Sequence, residues 1–169
     1  MGLRQVKAEL KKLKKDTLIN LIGELYKNFK PVKEYLEFYM NPDEEKILEQ
    51  YKEKVREGFF PKRGYRLRLS ISRKAINSFK KLGTSKESLA DLLLFYVECG
   101  VEFTNEFGDI YENFYTSIEN TYEKSLNLMA KEGILDKFEN RVSAIVKKTE
   151  GIGWGFHDFL ARLYYEYYE

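Results

Sequence analysis

Along its hydrophobic and polar positions the chain repeats with the period of an α-helix almost throughout. Leu3, Val6, Leu10 and Leu13 form a one-faced stripe in a basic first helix. A second helix is predicted from Asp16, with Leu18, Leu21, Ile22, Leu25 and Phe29 at i, i+3, i+4, i+7 and i+11. Pro31 opens a short aromatic helix, PVKEYLEFYM. Next, Asn41-Pro42-Asp43-Glu44 sets a cap residue, a proline at the first helical position and a Glu at the third. The helix that follows carries Ile47, Leu48, Tyr51 and Val55 inward, and Gly58 is expected to end it.

The later half offers three cap-like starts, Thr84 with Glu87, Asp109 with Glu112, and Asp136 with Glu139, each at capping-box spacing. A helix over 85–107 has Leu89, Leu92, Leu93, Tyr96 and Phe103 on one face. Its segment LADLLLFYV is apolar nearly all round, so this helix is predicted to be central and buried. A helix over 109–132 aligns Ile110, Phe114, Ile118, Tyr122, Leu126 and Met129. Phe138, Val142 and Ile145 mark the next, and a last one begins near Trp154 and ends in LYYEYYE. Gly58, Gly83, Gly108 and Gly133 recur at one spacing, each where a predicted helix stops, without enough further identity to make a sequence repeat. The expectation is all-α: about eight or nine helices in an antiparallel bundle or a short α-solenoid, within a single domain over 1–169.

Composition agrees. Of 169 residues, 43% are hydrophobic and 33% charged, which is globular rather than disordered. Cys99 is the only cysteine, so an intramolecular disulfide is excluded. MGLRQVKAELKKLKK lacks the apolar core of a secretory signal, and Val6 stands where a myristoylation motif after Gly2 needs Ser or Thr. No apolar run reaches the length of a membrane span, so the expected setting is the cytoplasm, without a membrane partner. The basic first helix suits a membrane surface and a protein core equally.

Net charge is only +2, but residues 1–81 hold 21 Lys/Arg against 11 Asp/Glu, and residues 82–169 hold 8 against 16. A basic half next to an acidic half hints at an anionic partner. The plainer reading is that the halves attract each other and help the helices dock.

FFPKRGYRLRLS, LLLFYVECGVEFTNEFGDI and GIGWGFHDFLARLYYEY, together with the NPDEE turn, resemble a family of small uncharacterised bacterial proteins, a domain of unknown function. The resemblance implies an all-helical protein and supplies no activity, cofactor or site residue.

Three places invite chemistry. The stretch 61–81 contains Lys62, Arg63, Arg66, Arg68, Arg73, Lys74, Lys80 and Lys81 with no acidic residue, and Tyr65 lies among the arginines. Guanidinium groups suit bidentate phosphate contact and an aromatic ring stacks on a base. The alternation over 65–71 is the one strand-like segment, and it also suits a crossing loop with leucines tucked in and arginines outward or paired with the acidic half. The second place is Gly151–Asp158, with Trp154, His157 and Asp158 as pocket candidates. Its glycines either let a ligand approach or cap one helix before the next, with Trp154 and His157 packed beneath. The third is Glu98, Glu102, Glu119 and Glu123, paired at i, i+4 on two successive helices. They suit a carboxylate site for Mg²⁺ or Ca²⁺ if the helices converge, and solvated faces otherwise. Cys99 reads as a core thiol, and one Cys with one His does not make a zinc site.

With no nucleophile–base pair and no cofactor loop in the sequence, the first functional expectation is a non-enzymatic helical module that binds a protein partner. Nucleic-acid binding through 61–81 is the alternative, and a carboxylate metal enzyme the third. No cofactor is expected.

Overall fold

The computed structural model describes residues 1–64 and 66–169. Among these are nine α-helices, one short 3₁₀ turn and no strand, the all-helical bundle that the periodicity implies. No described helix is long and apolar enough to cross a membrane. The chain divides into two compact units, 1–42 and 43–169.

The first unit comprises α1 (Leu3–Leu10), α2 (Lys15–Asn28) and α3 (Lys30–Met40). Extended backbone at Phe29 (φ −126°, ψ 103°) ends α2, and Pro31 in the first turn of α3 occupies a position where a missing N–H costs nothing. α2 and α3 pack together, and Tyr26 donates a 2.8 Å hydrogen bond to Glu37 across them. No residue of this unit is buried. Phe29 remains 54% exposed, Tyr39 69% and Met40 76%, so the apolar stripes on α2 and α3 are only partly covered by each other.

The second unit holds α4 (Glu44–Phe59), α5 (Leu69–Lys81), α6 (Lys86–Phe107), α7 (Glu112–Glu132), α8 (Glu139–Lys148) and α9 (Phe156–Tyr168). α6 is its axis. Twelve of its residues are buried, and α4, α5, α7 and α8 all pack on it, as its all-round apolar segment requires. α9 closes against α7 and α8. The rings of Phe59, Tyr96, Phe103 and Phe114 cluster where α4, α6 and α7 meet, with Phe59 to Tyr96 at 5.0 Å and Phe59 to Phe114 at 6.4 Å, both edge-on.

Several boundaries differ from the sequence reading, for local reasons. The cap of α4 is Asp43, which accepts from Lys46 N at 3.1 Å, and not Asn41; this register puts Glu44 and Glu45 into the first turn, where the helix dipole favours them. The cap of α6 is Ser85, accepting from Ser88 N at 3.0 Å, one residue beyond Thr84. Asp109 does not cap α7 but accepts from Tyr115 Oη at 3.2 Å, and Asp136 sits in the 3₁₀ turn Leu135–Lys137. Gly83, Gly108 and Gly133 do follow helices with positive φ. Gly58 does not: it lies buried inside α4, where α5 crosses closest. Residues 66–68 form no strand, since the alternation has no second strand to pair with. They cross as a loop, Leu67 half-buried and Leu69 buried at the start of α5, Arg66 and Arg68 exposed. The charge step at 81/82 falls between α5 and α6, inside the second unit.

Candidate functional site

Gly58 positions the site. A Cβ there would stand 2.9 Å from Arg68 O and closer still to Ser72 Oγ, so only glycine allows α4 and α5 to touch. Two hydrogen bonds close the clasp: Arg68 N donates to Gly58 O at 2.7 Å, and Ser72 Oγ to Val55 O at 2.6 Å. Together they fix the start of α5 and the loop before it, and with them the directions of Arg66, Arg68 and Arg73.

α5 and α7 each pack on α6 rather than on one another, leaving an open cleft of about 1070 Å³ above α6. Arg66, Arg68, Arg73 and Asn77 line one wall. The other wall is a face of α7, from Asn113 through Thr116, Ser117, Asn120 and Thr121 to Lys124, with Tyr111 just before the helix. Leu93 of α6 forms part of the floor, where Tyr96 and Ser117 hydroxyls meet at 2.8 Å. Burial raises the Tyr96 phenol above its usual value, against the opposing pull of Ser117 and the positive charge of Arg73.

The charge of this cleft sets it apart. Among the described residues that line it there is no Asp or Glu, in a chain with 27 of them. Among the described residues, Arg66, Arg68, Arg73 and Lys124 form no ion pair. Other basic side chains are consumed by structure. Arg56 makes a bidentate pair with Glu102 (2.6 and 2.8 Å), and Arg141 one with Glu98 (2.6 and 2.8 Å) while also holding Asp91 at 2.8 Å. Lys52 reaches Asp91 at 3.1 Å. Contacts between the basic and acidic halves therefore do dock α4 on α6, but the arginines of the cleft take no part.

Of the basic candidates, Arg66, Arg68 and Arg73 come together in the cleft. Lys62, Arg63 and Lys74 are exposed elsewhere, the Lys62 amide donating weakly to Glu57, and Tyr65 lies outside the described residues. The carboxylates do not converge. Glu98 and Glu102 are committed to Arg141 and Arg56, and the latter pairing holds the Glu102 carboxyl below its usual value. Burial raises Glu119, Glu123 faces solvent, and among the described residues no three potential ligands gather for a metal ion. Cys99 is buried, its thiol pushed up to about 12 mainly by that burial, which leaves no thiolate for chemistry at neutral pH.

At 151–158 the expectation fails in part. Trp154 is not packed beneath; it is 65% exposed and adopts φ 63° in the turn before α9. His157 is half-buried with Nδ1 2.9 Å from Thr149 Oγ1, which ties α9 to the end of α8, and Asp158 is exposed in the first turn of α9. The three do not form a pocket, because the left-handed turn directs the indole outward.

The α7 wall was not anticipated. Reading α7 by its apolar stripe alone passes over Asn113, Thr116, Ser117, Asn120, Thr121 and Lys124. They occupy a separate arc of about 140° at ~100° per residue, while Glu112, Glu119 and Glu123 gather within about 40° beside it. A polar stripe without a carboxylate inside an otherwise acidic half was the available signal.

Residues 1–168 match a family of unknown function, DUF6155. The chain belongs to this family. No curated protein and no solved structure matches it. The family brings no activity to this DUF6155 protein, so its function is argued from the cleft.

Proposed function

We propose that this protein is a non-enzymatic binding module for single-stranded nucleic acid, held in the cleft between α5 and α7. One observation carries the reading: four cations line a cleft that has no carboxylate among its described lining residues, and no described acidic partner pairs with them. Arginine forks match phosphate oxygens bidentately, and phosphate contacts supply most of the affinity of such proteins.

The dimensions favour a single strand. Helices packed on a common neighbour stand about 8–10 Å from it axis to axis, so α5 and α7 are at most ~20 Å apart. Subtracting one helix diameter of about 10 Å leaves an opening of at most roughly 10 Å. A strand with its bases turned in fits, and a duplex, whose major groove alone spans about 12 Å, does not reach the floor. From Tyr111 to Lys124 the α7 wall is about 20 Å long at 1.5 Å per residue, room for several nucleotides.

The test is binding of labelled single-stranded oligonucleotide across a salt series, with a duplex of the same sequence as control. Four phosphate contacts give a slope of log affinity against log salt near −2.8, at about −0.7 per contact. Arg66→Ala/Arg68→Ala/Arg73→Ala reduces it to about −0.7. No binding of the wild type at low salt removes the reading.

A specific observation also favours the protein-partner reading, for the first unit. Residues 15–42 carry four Lys against four Asp/Glu, so the α2–α3 hairpin is neutral, yet Leu21, Ile22, Leu25 and Phe29 line up on it and all remain more than a third exposed. Neutral charge and an uncovered apolar stripe suit a second copy of the same hairpin as partner. Sedimentation then finds concentration-dependent association that Leu21→Glu/Leu25→Glu abolishes with helicity intact; a wild type that stays monomeric removes this reading.

A further inference from the structure

The polar wall of α7 asks for more than phosphate. Asn, Thr and Ser are weaker helix formers than Ala, Glu or Lys, and five of them, Asn113, Thr116, Ser117, Asn120 and Thr121, fall within nine residues of one exposed-to-half-exposed face. A helix selected only for stability would carry better formers there. Ser117 has a structural return in its hydrogen bond with Tyr96, and Thr121 in donating to Ser117 O at 2.8 Å. Asn113, Thr116 and Asn120 have none among the described residues, and residues that break a local preference without such a return mark functional positions.

The amides also lack structural employment. On the same helix Asn127 donates to Glu123 O at 3.1 Å and accepts from Tyr167 Oη at 2.9 Å. Asn28 and Asn105 likewise donate to main-chain carbonyls. Asn77, Asn113 and Asn120 face the cleft from both walls and, among the described residues, hydrogen-bond to nothing. Each presents a donor beside an acceptor, the pattern that pairs with a base edge and that a phosphate, which only accepts, does not need. At one end of the cleft Tyr111 is 59% exposed. Its ring stands edge-on to the buried Phe114 at 6.5 Å, which supports it from one side and leaves a face open for stacking.

We infer that the cleft reads nucleobases: Tyr111 stacks a base, and Asn77, Asn113 and Asn120 hydrogen-bond base edges, while the arginines and Lys124 hold the backbone. The ligand class is thus a base-bearing single strand rather than a polyanion in general, and this rests on the nucleic-acid reading above. Adenine, whose N6–H donates to the amide oxygen while N7 accepts from the amide nitrogen, is the expected favourite.

The experiment compares full-length protein binding to an oligo(dA) of roughly twelve nucleotides and to an abasic strand of equal length and charge. The expected result is oligo(dA) tighter by about tenfold or more, from one stacked base and one amide pair. Asn113→Ala/Asn120→Ala and, separately, Tyr111→Ala lower oligo(dA) affinity more than abasic affinity, so that the preference shrinks toward unity; Tyr111→Phe keeps it. Alanine favours the helix at 113 and 120, so a lost preference in that variant is not lost folding. Equal binding of the two strands by the wild type overturns base reading and leaves phosphate binding standing. Binding to neither overturns both.

Discussion

Gly58 bears on both stability and site. In Gly58→Ala the added methyl meets Arg68 O, main chain that yields only if α5 moves. Such overpacking costs roughly 1–3 kcal/mol, read as a lower urea midpoint with unchanged slope, and displaced Arg66 and Arg68 weaken oligonucleotide binding in parallel. Arg141 is a second single-residue dependence. It bridges Asp91 and Glu98 of α6 with side chains only 23–30% exposed, so Arg141→Leu strands the part-buried Glu98, leaves Asp91 to Lys52 alone, and destabilises by about 1–3 kcal/mol in the same assay. Glu102 gives a pH signature. Its carboxyl is held below its usual value in the folded chain by the Arg56 hydrogen bonds, so its stabilisation is fully present above the ordinary carboxylate range and is lost as pH falls below that range through the lowered folded-state value. The side chain is 47% exposed, which keeps the effect under about 1 kcal/mol, and Glu102→Gln removes this part of the acid-side loss.

Among the elements, α7 carries three stripes on one cylinder. Phe114, Ile118, Tyr122 and Met129 enter the core, Glu112 and Glu123 meet solvent with Glu119 half-buried beside them, and the Asn/Thr/Ser face lines the cleft. The first of these was legible from the chain because burial imposes a period on apolar residues. The third was not, because a polar face looks alike whether it meets water or a groove, and which it meets depends on where α5 is held. α6 was fully legible, since a helix apolar on all sides has only the centre to occupy. α2 and α3 show the reverse case: strong stripes without burial within their own unit.

For the whole molecule, the charge step at 81/82 was plain from counting, but its meaning came from pairing. Lys52 and Arg56 of α4 meet Asp91 and Glu102 of α6, as attraction between the halves implies, whereas Arg66, Arg68 and Arg73 have no such partner among the described residues. The 61–81 segment held both possibilities at once, since charge per residue says nothing of neighbours. By itself the sequence determined the helical class, the central helix, the helix order to within a few residues and a basic segment worth testing, because periodicity, turn residues and charge are local properties. Only the tertiary structure decided which cations are left unpaired among the described residues, that four glutamates do not converge, that Trp154 points outward, and that α5 and α7 flank a cleft whose described lining has no carboxylate. Those depend on contacts such as Gly58 against Ser72, which no local pattern encodes.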